Sequence, residues 1–327
     1  MFKQKPAIED RRLGQFLTGD SVKNSPALTI AAFMLVLIGS ISLAVYFKYE
    51  NTQLAEELKT LKSSNFASLL YAQQMETESS WQHVSSVKDE NNVTPNFDLD
   101  YQNLYPDLYV GDIPKQTRAA NMVYLTFDDG PSKLTEDVLD VLKEKQIKAT
   151  FFVMGKNLET AQGKETLKRI VREGHAVGIH TYSHVYSRIY ASVEAFLDDF
   201  YKTYSKIYDI TNVKPEIFRF PGGSINGYNS TIYKELIAEM ARRGFVYYDW
   251  NISSQDAAGN VTKQQVYDNV VYPSKTNTRN VVLMHDSAEK VSTLKALPEI
   301  IDELTECGYQ FDVLTRNVAP IIFGYSD

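Results

Sequence analysis

The chain has a single cysteine, Cys307, so no disulfide within it can hold the fold together. It also has no excess of basic residues: 34 Lys and Arg stand against 41 Asp and Glu, and the formal net charge is −7. A nucleic-acid-binding protein normally has a basic face, so a nucleic-acid partner is not expected. The G-x-S-x-G motif of the α/β-hydrolases is missing as well, which disfavours a serine hydrolase of that kind.

One stretch lacks charge altogether. Residues 27–47 read ALTIAAFMLVLIGSISLAVYF, and roughly 20 apolar residues are enough to cross a bilayer as a helix. We therefore predict one transmembrane helix that attaches the chain to the membrane. The alternative is a cleaved signal peptide with small residues at Ser42 and Ala44, but the run exceeds the roughly 7–15 apolar residues usual for such peptides. A buried globular helix is disfavoured because the segment has no polar face.

Basic residues are denser before this run than just after it. Five precede it, namely Lys3, Lys5, Arg11, Arg12 and Lys23. Because Lys and Arg are enriched on the cytoplasmic side of membrane spans, residues 1–26 are predicted to be cytoplasmic. The chain is then a single-pass protein of the cell membrane, and its main domain is extracellular.

Two further segments separate the apolar run from the main domain. Residues 48–90 are polar and rich in helix formers, and Leu54, Leu58 and Leu61 recur at spacings of four and three. This pattern predicts a helical stalk, and both a short coiled coil and a solvated spacer helix fit it. Residues 91–118 are rich in Asn, Pro, Asp and Tyr without a clear period, which indicates a linker that packs on the next domain through its tyrosines.

From residue 119 to residue 327, short β-rich runs alternate with helical stretches. The predicted strands are 122–127, 149–154, 176–180, 217–220, 245–250, 281–285 and 310–314. The predicted helices are 134–145, 165–173, 192–210, 230–243, 262–271 and 292–306. About seven strands alternating with helices indicate an α/β fold with a parallel sheet covered by helices. Both a barrel and a doubly wound open sheet fit this pattern.

In both architectures, functional sites form at the carboxyl ends of the strands. Several polar residues fall at these ends: Asp128 and Asp129 after the first strand, His180 and His184 after the third, Arg219 in the fourth, Asp249 and Asp256 after the fifth, and His285 after the sixth. Three of the five histidines in the chain are therefore expected at one edge of the sheet.

His180 and His184 are four residues apart and would share a face on a helical turn. Two imidazoles and one carboxylate, here Asp128 or Asp129, are a common ligand set for a catalytic metal. The other carboxylate could then activate a water whose pKa the metal lowers, and His285 could act as general acid. Each motif alone has a plainer interpretation, such as a turn for Asp-Asp-Gly-Pro, but their conjunction in one order is specific.

The motifs TFDDGP, HTYSH, RFPGG, DWNISSQDA and LMHDS, in this order, resemble those of the NodB-homology polysaccharide deacetylases, carbohydrate esterase family 4. The resemblance covers about residues 122–315. Within the family, the chain resembles the membrane-anchored peptidoglycan N-acetylglucosamine deacetylases. It implies a distorted (β/α) barrel with fewer than eight strands. It also implies a divalent metal cofactor, zinc first, with cobalt or nickel as alternatives.

The resemblance also implies roles for individual residues. The catalytic group comprises Asp128 as base, His285 as general acid, Arg219 as the residue that orients the base, and Asp256 as the carboxylate that pairs with Arg219. The metal ligands are Asp129, His180 and His184. The substrate-binding group comprises Pro221, Gly222, Trp250 and Leu283, with the Gly222 N–H on the oxyanion and the last two near the acetyl group.

This sequence departs from many family members at two positions. Gly222 stands where an aromatic residue often follows the proline of the third motif, so a side-chain contact to sugar is expected to be lost there. Ala257 stands where tryptophan often follows the aspartate of the fourth motif, which predicts a differently lined acetyl pocket.

The expected activity is metal-dependent hydrolysis of N-acetyl groups from an extracellular polysaccharide, with release of acetate. Location and family point to the N-acetylglucosamine of peptidoglycan as the substrate. The alternative is an esterase or deacetylase that acts on another acetylated glycan: O-acetyl xylan, chitin or an exopolysaccharide. An inactive carbohydrate-binding membrane module is an alternative of another class.

Overall fold

The structure is a computed structural model that describes residues 99–324. The predicted cytoplasmic segment 1–26, the predicted transmembrane helix 27–47 and the predicted stalk 48–90 lie outside the described residues. Between residues 99 and 324, no helix is both long enough and apolar enough to cross a membrane.

Eight strands form one sheet, and all of its pairings in the described residues are parallel. They are β1 (Met122–Asp128), β2 (Thr150–Val153), β3 (Ala176–Ile179), β4 (Ile217–Phe218), β5 (Val246–Tyr247), β6 (Ile252–Ser253), β7 (Arg279–His285) and β8 (Gln310–Phe311). Their order is β5-β4-β3-β2-β1-β7-β6, and β8 pairs with the start of β1. Each of the seven predicted strands is present, and the two-residue β6 is an addition.

Helices connect the strands, as the alternating pattern predicts. The α-helices of the described chain are α1 (Lys133–Glu144), α2 (Ala161–Arg172), α3 (Tyr186–Ile189), α4 (Val193–Thr211), α5 (Tyr233–Arg242), α6 (Lys263–Ser274) and α7 (Val291–Glu306). Short 3₁₀ helices lie at Asp100–Asn103, Gly155–Glu159 and Asp256–Ala258. All six predicted helices are confirmed, and α3 is an addition.

Hydroxyl side chains determine where four of these helices begin. Ser132, Thr160, Ser192 and Thr262 accept hydrogen bonds from backbone N–H groups in the first turns of α1, α2, α4 and α6. Such a cap satisfies a donor that the helix itself cannot pair, and it typically contributes about 1 kcal/mol. The first of these caps places α1 directly after the Asp-Asp-Gly-Pro turn, next to the predicted site.

Alternate residues of β1 face two different cores. Val123 and Leu125 belong to the large core between the sheet and the helices, whereas Met122 and Tyr124 belong to a smaller core on the other face. The smaller core consists of Met122, Tyr124, Phe152, Ile217, Val246, Tyr248, Val281, Leu314 and Ile321. Residues from β1, β2, β4, β5 and β7 thus meet in one cluster, so the sheet curls around it.

The curled sheet is not closed by pairing of its end strands, because β5 and β6 are the two ends of the strand order and do not pair with each other. The expected distorted (β/α) barrel is therefore confirmed as a curled, incompletely closed parallel sheet with helices outside it. In the described residues the sheet is curled, so the doubly wound open sheet, which the sequence pattern also allowed, does not describe this domain.

The described part of the predicted linker, residues 99–118, packs on this domain. Tyr105 stacks on Tyr201 of α4 with ring centroids 4.2 Å apart. Arg243 is buried, pairs with Glu239 at 2.6 Å, and donates to linker carbonyl groups, those of Tyr101, Leu104, Tyr105 and Leu108. The tyrosine contact follows the prediction, whereas the sequence did not point to the Arg243 anchor.

Candidate active site

The predicted catalytic and metal-binding residues come together at the carboxyl edge of the sheet. Asp128 ends β1 and Asp129 follows it, whereas His180 follows β3 and His285 ends β7. Arg219 follows the short β4 and reaches back to β1. The common direction of the strands explains this gathering, since parallel strands have their carboxyl ends at one edge.

Asp129, His180 and His184 form a compact group of candidate metal ligands, here called the ligand group. The atoms that could bind a metal all lie within 4.8 Å of one another. Asp129 Oδ1 lies 3.6 Å from His180 Nε2 and 3.4 Å from His184 Nε2. This oxygen is buried and has no hydrogen-bond partner among residues 99–324. A buried carboxylate oxygen without a donor is costly, and a cation between it and the two imidazoles would satisfy it. The three residues therefore fit a divalent metal.

The protonation of His180 also suits metal binding. Its Nδ1 lies 2.9 Å from the Arg219 carbonyl oxygen, which can only accept, so Nδ1 carries the proton. In the neutral form of the ring, this tautomer leaves the lone pair on Nε2, the nitrogen that faces Asp129. Burial lowers the pKa of His184 to about 4, so the imidazole of His184 is neutral near neutral pH. Metal-binding histidines are commonly oriented by a hydrogen bond from the other ring nitrogen, as His180 is here through Nδ1.

The two histidines are not on a helical turn, which corrects the expectation from their spacing. Residues 180–185 form a loop in which Thr181 and His184 have φ values of +63° and +57°. Asp199 of α4 holds this loop by accepting hydrogen bonds from the backbone N–H groups of Tyr182 and Ser183. The backbone of Asp129 is also in the left-handed region, with φ +73°. Such strained conformations persist where the surroundings fix them, and they cluster at functional sites.

Arg219 holds Asp128 in the way the resemblance implies. Its Nη1 donates to Asp128 Oδ1 at 2.9 Å, and both side chains are buried. The same guanidinium donates to Thr126 Oγ1 at 2.6 Å and lies 4.4 Å from the centre of the Phe152 ring. The second oxygen of Asp128 lies 3.8 Å from His180 Nε2, so the carboxylate faces the ligand group. A base here would be fixed and close to the metal position.

Asp256 pairs with His285 and not with Arg219, which corrects the pairing that the resemblance implied. Asp256 Oδ1 lies 2.7 Å from His285 Nδ1, and Oδ2 accepts from the backbone N–H of His285 at 2.9 Å and from Thr293 Oγ1 at 2.7 Å. The strand order is the physical reason. Asp256 follows β6, which neighbours β7 and its terminal His285, whereas Arg219 follows β4 on the other side of β1.

This pairing controls the charge of His285. Burial lowers the pKa of the imidazole, but the hydrogen bond and charge of Asp256, and then the charges of Asp128 and Asp129, raise it to about 9. Burial raises the pKa of Asp256, but its hydrogen bond to His285 and the imidazolium charge leave it below the ordinary value. His285 is therefore protonated near neutral pH, as a general acid must be.

The predicted substrate-binding residues lie around this group. Gly222 is exposed and has φ +76°, and the preceding Pro221 carbonyl accepts from Tyr190 Oη at 2.7 Å. Trp250 makes an edge contact with Phe323 at a centroid distance of 4.8 Å. Leu283, in the middle of β7, is buried. Contact of these four residues with a substrate stays a prediction.

Two buried aspartates support the site without having been assigned a role from the sequence. Asp249 accepts from the backbone N–H groups of Ser224 and Phe323, at 2.8 and 2.7 Å, and so joins two segments beside the site. Asp286 lies under the turn at Gly130 and accepts from Thr135 Oγ1 at 2.6 Å. The sequence feature that could have pointed to these two residues is an aspartate beside an apolar strand, because buried carboxylates are rare unless they have a partner.

The ligand group is open to solvent on one side. Asp129 and His184 line a depression of about 380 Å³. Its other walls include polar side chains, those of Ser132, Lys156, Asn157, Ser287 and Glu289. A polar ligand could therefore reach the ligand group from this side.

A metal-ligand group, a fixed carboxylate and a protonated histidine on one edge of an α/β sheet are the parts of a hydrolytic enzyme. Comparison with known proteins makes this class specific. Residues 115–241 match the family model described as Polysaccharide deacetylase. YheN of Bacillus subtilis (strain 168), named as a polysaccharide deacetylase, is 35% identical over 229 residues, which cover 68% of this chain and 78% of YheN.

A peptidoglycan-N-acetylglucosamine deacetylase of Bacillus cereus is 33% identical over 196 residues, which cover 58% of this chain and 68% of that protein. Among solved structures, the catalytic domain of the peptidoglycan N-acetylglucosamine deacetylase from Eubacterium rectale ATCC 33656 has a TM-score of 0.61 at 35% identity, covering 67% of this chain and 98% of that domain. The chain belongs to the polysaccharide deacetylases of the NodB-homology family, carbohydrate esterase family 4, and is an enzyme of that family.

Proposed function

We propose that this enzyme hydrolyses the N-acetyl group of N-acetylglucosamine in peptidoglycan, that it needs a divalent metal ion, and that it works on the outer side of the cell membrane. The observation that supports metal dependence best is the buried, unpartnered Asp129 Oδ1 between two imidazole Nε2 atoms. The substrate is proposed from the relatives in Bacillus cereus and Eubacterium rectale, both named for peptidoglycan N-acetylglucosamine.

Asp129, His180 and His184 would hold the ion, with zinc as the first candidate and cobalt or nickel as alternatives. When bound, a divalent ion supplies a Lewis acid that polarises the amide carbonyl and lowers the pKa of water. Asp128 is placed to take the proton from the attacking water, because Arg219 fixes one of its oxygens and the other faces the ligand group.

As the water oxygen bonds to the amide carbon, the carbonyl oxygen gains negative charge. The backbone N–H of the exposed Gly222 is proposed to donate to this oxygen, a type of stabilisation that is usually a large term in acyl transfer. His285, held by Asp256, then donates its proton to the amide nitrogen while the carbon–nitrogen bond breaks. The products are acetate and the free amine of the sugar.

The membrane location rests on the uncharged run at 27–47 and the basic residues before it. With residues 1–26 in the cytoplasm, the catalytic domain would be extracellular and next to the cell wall. This position supports peptidoglycan over xylan, chitin or an exopolysaccharide as the substrate.

The deciding experiment is acetate release by the purified protein from a panel of glycans, comprising peptidoglycan, chitin oligomers and acetylated xylan, with and without a chelator. The matched control is Asp128→Asn, which keeps the size of the side chain and loses the base. We expect chelator-sensitive release, fastest from peptidoglycan, and little release by the variant. Faster release from acetylated xylan would overturn the substrate, and full activity after removal of all metal would overturn the mechanism.

A further inference from the structure

Tyr228 is a large aromatic side chain that the fold leaves in solvent, with 62% of its surface exposed. Its backbone is nevertheless held: its N–H donates to Asn226 Oδ1 at 2.9 Å, and Asn226 Nδ2 donates to the carbonyls of Pro221 and Gly223 at 3.2 and 3.0 Å. The loop that presents Tyr228 is thus tied to the segment that carries Gly222. A fixed backbone with an exposed ring is suited to contact a ligand at low entropic cost.

The ring of Tyr228 is also linked to the proposed metal site. It lies 5.1 Å from the ring of Tyr186, which in turn makes an edge contact with the metal-ligand candidate His184 at 5.3 Å. Three aromatic rings therefore lead from the ligand group to the exposed surface. Aromatic neighbours at these centroid distances support one another by packing, so the outermost ring has a preferred position.

Tyr186 also fills the space beside Gly222. A Cβ atom at position 222 would lie 2.8 Å from Cε1 of Tyr186, and the φ of +76° at Gly222 also disfavours any side chain there. An aromatic residue at position 222 would therefore have a strained backbone and would require the Tyr186 ring to move. The ring next to the site comes instead from α3, a short helix that the sequence pattern did not reveal.

We propose that Tyr186 and Tyr228 form a sugar-binding platform, here called the tyrosine platform, which holds a pyranose ring of the glycan chain beside the sugar that is deacetylated. The inference rests on the proposed function. The face of a pyranose carries C–H groups that pack on an aromatic face, and a tyrosine adds a hydroxyl that can exchange hydrogen bonds with sugar hydroxyls. The platform binds neighbouring sugars, so its contribution grows with chain length.

The chain offers a matched control in Tyr272. Its side chain is 61% exposed, nearly the same fraction as in Tyr228. It lies near the end of α6, from which the chain enters β7 at Arg279, and thus near the opposite edge of the sheet from the site. Loss of an exposed tyrosine ring can therefore be compared at two places that differ in their distance from the ligand group.

The test measures kcat and KM for acetate release from N-acetylglucosamine oligomers of increasing length, with Tyr228→Ala, Tyr228→Phe, Tyr186→Leu and Tyr272→Ala. For Tyr228→Ala we expect KM on the longest oligomer to rise about fivefold, in the range that an aromatic contact supports, and to rise less on the dimer. Tyr228→Phe keeps the ring and should stay within about twofold of the wild type on the same scale. Tyr186→Leu should show the same dependence of KM on oligomer length, and its metal content is measured beside KM.

Equal KM values for Tyr228→Ala and Tyr272→Ala at every length, with an active wild type, would overturn the platform and leave the proposed function intact. A fall in kcat of the same size at every length would also overturn it, because distortion of the loop would explain that result. No acetate release by the wild type from any oligomer or from peptidoglycan would overturn the proposed function and the platform together.

Discussion

The Nδ1 atom of His285 lies 2.7 Å from Oδ1 of Asp256, and the backbone N–H of His285 donates to the other oxygen of the same carboxylate at 2.9 Å. One aspartate thus fixes both the ring and the main chain of the proposed general acid. Asp256 follows β6 and His285 ends the neighbouring strand β7, so the pair lies at the carboxyl edge of the sheet. This geometry allows the acid to be tested separately from the base and the metal.

Asp256→Asn should move the alkaline limb of the pH profile to lower pH. His285 acts protonated, so activity falls as pH rises through its pKa, which the folded enzyme holds at about 9. Without the negative partner, the pKa of His285 drops toward its ordinary value of 6.5. The measurement is kcat/KM between about pH 5 and about pH 10 for both proteins. An unchanged alkaline limb would show that His285 is not the acid.

The variants Asp128→Asn and Asp129→Asn should distinguish the catalytic base from the metal ligand. Asp128→Asn is expected to lower kcat by roughly 10²–10⁴-fold with little loss of bound metal, since its proposed role is proton transfer. Asp129→Asn should lose both metal and activity, because Asp129 Oδ1 faces both imidazoles. Metal stoichiometry is measured beside the rate for each variant. If Asp128→Asn alone loses the metal, the two roles are exchanged.

Removal of metal should abolish activity, and readdition of zinc, cobalt or nickel should restore it. His180→Ala is expected to weaken metal binding by at least about tenfold, since it removes one of three candidate ligands. A titration of the chelator-treated protein with Zn²⁺ measures this without any activity assay. His175→Ala is a suitable control, because His175 is buried elsewhere and bonds to the Ala149 N–H. Equal Zn²⁺ affinity of the two variants would contradict the ligand assignment.

Asp286→Asn should remove a pH dependence of stability. Burial, and next the charges of Asp129 and Asp128, raise the pKa of Asp286 to about 7, against the hydrogen bond from Thr135. The ordinary value is 3.8, so between about 4 and 7 the folded state binds more protons than the unfolded state. The free energy of unfolding therefore falls as pH rises through this window. Thermal unfolding of metal-free protein should show a flatter profile in the variant, and identical slopes would refute the assignment.

The predicted membrane topology can be tested on cells that express the whole chain with a tag at Met1. Protease added to intact spheroplasts should remove the catalytic domain and spare the tag, because residues 1–26 are predicted to be cytoplasmic. Protection of the domain together with loss of the tag would reverse the orientation. A mature protein that begins at Val45 would show instead that residues 27–47 include a cleaved signal peptide.

The sequence predicted well those helices and strands that are long enough to show a hydrophobic pattern. β1 reads as an apolar run because it is buried along its whole length, and α4 shows the helical period over 19 residues. The two-residue β6 and the four-residue α3 escaped prediction, since neither is long enough to show a period. Yet α3 carries Tyr186 and β6 leads to Asp256, so both omissions bear on the site.

The sequence by itself determined which residues meet at the site. Asp128, Asp129 and His285 follow or end predicted strands, and parallel strands bring their carboxyl ends to one edge whatever their order. Only the tertiary structure decided the partner of Asp256. The strand order β4-β3-β2-β1-β7-β6 places Asp256 beside His285 and away from Arg219, because hydrogen bonds depend on distances across the sheet and not on spacing along the chain.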